Sequence, residues 1–370
     1  MTDQTAGSLL DDDPHLLVQL LQAKTTRDVT RLLADLQIVD ESAYTWSLAD
    51  PASNWQPGRL HWIPVGRDRG NAGRINLAGE PYNPHAERLI NGMEALIELA
   101  RQRELKRAPD ASMPQSPRDA VERYFNLPRL DSIPRISDVS ARRELEERLR
   151  DVRRQLILSV EFAKALDEFA VEIRDRGIGQ SPEKIHETLL SLGQTDKADK
   201  PYLIGVFGQG GSSAYAACDF SLVVSRRAPD CLDGKIDRIG WTIVKKIITK
   251  GRRDPYYAYL AALPDGRVPS LAAGDDDAFP HGTLFRHLGY DFGRQGGAVT
   301  RTLYYALNHV LFNPILPYDL YAMKTDPDAM YGTAYRLARR ARQFDAAEQK
   351  HLYKSFQPQP VGDADGGFAG

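Results

Sequence analysis

The chain has 370 residues, 42% of them apolar, and its 48 basic and 50 acidic side chains give a formal charge of −2, which excludes a polyanion-coating protein and a disordered tail. At roughly 150 residues per domain, this length admits two domains or one large α/β unit with a sizeable core. The two cysteines, Cys218 and Cys231, exclude a disulfide scaffold, match no metal-ligand spacing, and suit a reducing, cytoplasmic setting.

Met1 to His15 carries Asp3 and the run Asp11 to Asp13 where a secretion signal would have a basic and then an apolar region. Residues 14 to 45 place Leu16, Leu17, Leu20 and Leu21, then Val29, Leu32, Leu33 and Leu36, at helical spacing. They predict a helical N-terminal extension within residues 1–59, serving as packing or dimer surface. Residues 50 to 84 are rich in Pro, Gly and Asn and read as loop, with one strand-like piece from Leu60 to Val65. A helix is expected from Ala86 to about Arg103. The prolines between Lys106 and Ile136 break that stretch into loop and a short helix around Asp119 to Phe125, which marks an insertion at about 104–154. Ser140 is expected to cap a charged helix running to Arg154.

Alternation in Leu156, Leu158, Val160 and Phe162, and again in Phe169, Val171 and Ile173, predicts a hairpin of two half-buried strands. Ser181 and Pro182 then start a helix. Further strands are expected at Phe220 to Ser225, Gly240 to Ile248, Tyr256 to Leu260 and Thr283 to Phe292, and a helix at Thr300 to Phe312. The apolar window Tyr202 to Val224 is broken by glycines, serines and Asp219, so no membrane span is expected. Residues 317–370 are weakly patterned, and the Gly/Asp-rich end is expected to be disordered.

Three segments carry chemistry. Glu87, Asn91 and Glu94 share one face of the helix that starts near Ala86, opposite Leu89, Met93, Leu96, Ile97 and Ala100. Asp175, Gly177 and Gly179 follow the second hairpin strand, where glycines admit a ligand and a carboxylate can accept a hydrogen bond from an amino group. Gly205, Gly208, Gly210, Gly211 and Ser212 form a glycine-rich loop before a run of small residues whose amides can face an anion, phosphate above all. Lys197 and Lys200 precede that loop as point charges for the same phosphates.

Together these segments resemble the ATP-binding fold of the GHKL superfamily, shared by DNA gyrase, MutL, the MORC ATPases, the large heat-shock chaperone and histidine kinases. The resemblance covers about residues 60 to 312. Glu87-x-x-x-Asn91-x-x-Glu94-Ala95 matches the first motif, with Glu94 where an aspartate is usual. Asp175-x-Gly177-x-Gly179 matches the second, Gly205, Gly208 and Gly210 match the lid motif, and Gly282-Thr283 matches a later Gly-Thr pair. The resemblance implies a two-layer α/β sandwich, a mixed and mostly antiparallel sheet with helices on one face (the Bergerat fold), in an ATP-binding domain over 60–316. It implies that Asn91 coordinates Mg²⁺, that Glu87 is the general base of slow ATP hydrolysis, that Asp175 receives the adenine amino group, and that Thr283 supports the base. It further implies an ATP-dependent homodimer acting on a protein client or a nucleic acid. Alternatives are a nucleotide-gated interaction module with negligible turnover and a histidine-kinase-like phosphotransferase, the latter disfavoured because His186 follows Asp175 and no phospho-accepting histidine precedes Asn91. A dinucleotide fold lacks its third glycine at Ser213, and no P-loop lysine motif is present.

Overall fold

The computed structural model describes residues 14–41, 46–75, 80–192, 199–204, 210–248, 255–274, 279–293 and 299–342. In chain order these form helices α1 (Pro14–Gln22) and α2 (Thr26–Asp35), strand β1 (His61–Pro64), helices α3 (Ala72–Ile75), α4 (Asn83–Arg107), α5 (Pro117–Phe125) and α6 (Val139–Arg153), and the hairpin β2 (Leu156–Ala163) and β3 (Glu168–Asp175). Then come α7 (Pro182–Thr188), β4 (Phe220–Arg226), β5 (Arg238–Ile247), β6 (Tyr256–Ala261), β7 (Ser270–Ala272), β8 (Gly282–Tyr290), α8 (Val299–Val310), β9 (Tyr318–Ala322), β10 (Asp328–Met330) and α9 (Gly332–Arg342).

Local chemistry sets most helix starts. Thr25 and Asp28 close a reciprocal capping box at α2. Ser116 accepts from the Asp119 amide while Pro117 occupies the first turn of α5. At α6 the expected cap is displaced: Asp138, not Ser140, accepts from the Ser140 and Ala141 amides, because its carboxylate stands just ahead of the first turn. In the hairpin, Leu156 pairs with Asp175 and Phe162 with Phe169, which leaves Leu156, Leu158, Val160, Val171 and Ile173 on one buried face.

The strands form one mixed sheet in the order β1-β6-β5-β4-β8-β3-β2-β9-β10, with β7 alongside β5. Every neighbouring pair is antiparallel except β2 and β9, which run parallel. The weakly patterned stretch beyond Pro317 is therefore part of the fold up to Arg342, with β9 and β10 in the sheet and α9 after them. Its β9 pairs Asp319 to Ala322 with Ile157 to Val160, and Arg153 holds the buried Asp319 at 2.9 Å. Residues 343–370, with the Gly/Asp-rich end expected to be disordered, lie outside the described residues.

Helices cover both faces of the sheet, where the resemblance implied helices on one. Helices α4, α5, α6 and α8 pack against Leu156, Leu158, Val160, Val171 and Ile173 on one face. Helices α1 and α2 cover the opposite face, where Leu16, Leu20, Val29 and Leu32 meet Leu222, Val224, Trp241, Ile243 and Leu288. Each fully buried side chain of this kind contributes about 1.5–3 kcal/mol. The insertion at 104–154 is core material, since Ala120, Val121, Leu130, Leu145 and Leu149 are buried with α4. Among the described residues, no helix is long and apolar enough to cross a membrane.

Candidate functional site

Helix α4 is the organising element. Its apolar side, Leu89, Met93, Leu96 and Ile97, is buried in the core, and its polar side carries Glu87, Asn91, Glu94 and Glu98 within a narrow stripe. Glu87 and Asn91 are half-buried, and Glu94 is buried. Three parts of the chain converge on this helix.

The first is the turn after β3. The Ile178 amide donates to the Ala95 carbonyl at 3.0 Å. A Cβ on Gly177 would stand 2.5 Å from Ala95, so only glycine lets the turn reach the helix. Gly179 has φ +63°, and a Cβ there would stand 1.9 Å from the Arg226 carbonyl oxygen. The Asp175 carboxyl accepts from the Gly177 amide at 2.8 Å and from the Thr283 backbone amide. Burial pushes its pKa up to about 7, against the pull of these amides and of Arg174. Thr283 lies beside it on β8, and Ser225 of β4 joins the group by accepting from the Gln180 amide (2.9 Å) and sharing a hydrogen bond with Thr283 Oγ1 (3.0 Å).

The second part is the chain leading to the glycine loop. Glu94 Oε1 accepts from the Ile204 amide at 2.6 Å. One turn on, Glu98 takes Lys200 Nζ and the Tyr202 hydroxyl, both at 2.9 Å. Burial acts to raise the Glu98 pKa, and these two partners outweigh it and hold the carboxyl below its ordinary range. Lys200, expected to point at phosphates, is thus in an ion pair with α4.

The third is the far end of the loop, where the run of small residues lies in a 3₁₀ helix over Gly210–Ala217. Arg88 lies over Gly211, donates to the Tyr215 hydroxyl at 3.1 Å, and sits 3.6 Å from the centre of the Phe285 ring. It is buried, its Nε has no partner, and none of the ion pairs among the described residues involves it. Ser212 and Ser213 are buried in the same turn. Lys197, Gly205 and Gly208 lie outside the described residues.

The structure thus gathers Glu87, Asn91, Asp175, Gly177, Gly179, Thr283, Gly211 and Ser212 around one helix. Within about two helical turns, that helix meets a buried carboxyl at one end and a buried, unneutralised guanidinium at the other. Such a set can accept an N–H donor near Asp175 and an anion near Arg88. Among the described residues, no group of three or more His, Cys, Asp or Glu side chains is placed to hold a metal.

Sequence reasoning missed Arg88, Ser225, Glu98 and His281, whose Nδ1 meets the Gly177 carbonyl at 2.8 Å. Glu98 was readable as the next step of the Glu87, Asn91, Glu94 stripe, and Ser225 as a polar position in an apolar strand. Arg88 gave no signal. A cavity of about 490 Å³ lies between the C-terminal half of α4 and α5, lined by Leu96, Leu99, Arg103, Arg107, Arg123 and Tyr124 among others; none of the predicted site residues lines it. No protein-family model matches the chain, and a search of curated proteins finds no significant match.

Proposed function

We propose that the chain is a GHKL-type ATP-binding module that hydrolyses ATP slowly with Mg²⁺. The observation that carries this reading is the pairing of opposite chemistries along α4: the Asp175 carboxyl at the end of β3, with its backbone amides, at one point, and Arg88 of α4, with no carboxylate, at the other. An adenine amino group, a donor, and a triphosphate, an anion, complement that polarity.

In this reading Asp175 accepts from the adenine amino group, with Thr283 and Ser225 holding the carboxyl in place. Arg88, Gly211 and Ser212 face phosphate charge. Mg²⁺, when bound through Asn91, neutralises part of that charge. Glu87, one turn before Asn91 on the same stripe, takes the proton of the attacking water. Glu94 and Glu98 fix one end of the glycine loop to the helix that bears the catalytic groups, and Arg88 with Tyr215 fixes the other. Closure of the loop over the phosphates then changes the surface offered to a second copy or a client, the basis of an ATP-dependent homodimer.

The test is calorimetry with ATP and Mg²⁺, paired with phosphate release. Glu87→Ala is expected to retain binding and to lose release by about 100-fold or more. Binding without release in the unsubstituted chain selects the nucleotide-gated interaction module, and no uptake of ATP by folded protein ends the proposal.

A further inference from the structure

Helices α8 and α9 carry Arg301, Arg336, Arg339, Arg340 and Arg342 and no aspartate or glutamate, in a chain whose formal charge is −2. Several cations elsewhere are matched, Arg153 to Asp319, Arg226 to Asp237, Arg286 to Glu172 and Lys200 to Glu98. Among the described residues, no carboxylate lies in ion-pair range of Arg301, Arg336 or Arg339.

What these arginines touch instead is aromatic. The Arg336 guanidinium lies 5.2 Å from the ring centres of both Tyr304 and Tyr305, and that of Arg301 lies 5.9 Å from Tyr305. The two rings stand edge to face, 5.4 Å apart. Tyr305 is 49% exposed, so part of its ring is open to solvent beside the two cations. A guanidinium that meets rings and no carboxylate has N–H donors left for a second acceptor. Arg336, Arg339 and Arg340 recur at i, i+3 and i+4 along one side of α9.

We propose that the α8–α9 surface binds single-stranded nucleic acid, with phosphates on Arg301, Arg336 and Arg339 and a base stacked on Tyr305. Charge complementarity calls for a polyanion. The exposed ring held among cations selects one that also presents flat π-faces, which an acidic peptide lacks and a duplex keeps inside its stack. The proposal is independent of nucleotide at α4.

The test is fluorescence anisotropy of a labelled 20-residue oligo(dT) with the full chain and no ATP. Three phosphate contacts predict affinity falling roughly 20-fold between 50 and 200 mM salt. Tyr305→Ala is expected to weaken oligo(dT) binding at least about fivefold and to leave heparin binding unchanged. Arg339→Glu, at an exposed position without a ring contact, is expected to weaken both. The unfolding midpoints of both variants should match the parent, since neither side chain is buried. Absence of binding at 50 mM salt overturns the proposal. So does an oligo(dT) affinity indifferent to Tyr305→Ala, tighter binding to phosphatidylserine vesicles than to oligo(dT), or equal affinity for a duplex.

Discussion

The two faces of the central sheet treat buried charge in opposite ways. Under α1 and α2, Arg286 on β8 pairs with Glu172 on β3 at 2.8 Å and donates to the carbonyls of Leu21 and Ala23 at 2.8 and 2.7 Å. This guanidinium neutralises a carboxylate and also caps the C-terminal end of α1, whose last carbonyls have no partner within the helix. Under α4, the Asp175 carboxyl accepts from backbone amides and feels Arg174 through charge alone, and Arg88 has no carboxylate among the described residues. A charge whose partners are complete serves the fold; one left short of partners is poised for something brought from outside.

The comparison can be broken at its strongest point first. Arg286→Ala should cost about 3–5 kcal/mol in urea unfolding, since Glu172 and the α1 carbonyls lose their partner, while ATP affinity per folded molecule stays within about twofold. A large loss of affinity at unchanged stability would merge the two faces into one site.

The second effect depends on pH and has the reverse sign of the usual aspartate. Asp175 has an ordinary pKa near 3.8 when unfolded and about 7 when folded, so between these values the folded state holds the proton more tightly. Its contribution is therefore full below pH 4, declines as pH rises from 4 to 7, and is level above 7, a change on the order of 4 kcal/mol. Asp175→Asn should remove that slope from the difference curve in pH-dependent unfolding and weaken ATP binding by at least about tenfold. A variant that keeps the parental slope would assign the titration elsewhere.

The smallest effect sharpens the picture at the loop. Lys200→Ala should lower stability by about 1 kcal/mol, because its ion pair with Glu98 is partly exposed. If Lys200 anchors the loop and does not itself hold phosphate, ATP affinity should change less than with Arg88→Ala. The reverse ranking in calorimetry would return Lys200 to the phosphates.

Much of the fold was legible because its signals are local. Alternation placed the β2–β3 hairpin to within about two residues, the helix expected around Asp119 to Phe125 is α5 (Pro117–Phe125), and the Ser181-Pro182 pair placed the start of α7. The closing of the sheet by β9 was not legible, because its pairing with β2 joins residues some 160 positions apart, and the five residues Tyr318–Ala322 alone show no repeated pattern. The burial of the insertion was hidden by its prolines, which mark breaks in the chain without telling where the pieces pack. At the site, the carboxylate, amide and glycine positions announced themselves by spacing. Arg88 did not, since a single arginine next to an apolar stripe reads as a solvated side chain until Phe285 and Gly211 are seen against it. The serines of β4 sit among valines, and their partners on β8 come only from the strand order.

The outermost strands of the sheet are short and guarded. β1 has four residues and ends in Pro64, and the Gln37 carbonyl and Val39 amide bond to Leu60 just before it; at the other margin β10 has three residues. Proline removes a ladder donor, and so short a rim offers few groups for another chain to zip onto. Copies of this chain that meet through sheet continuation would gain little, so self-association is left to helix and loop surfaces, where a change at the phosphate end of α4 has a path to be felt.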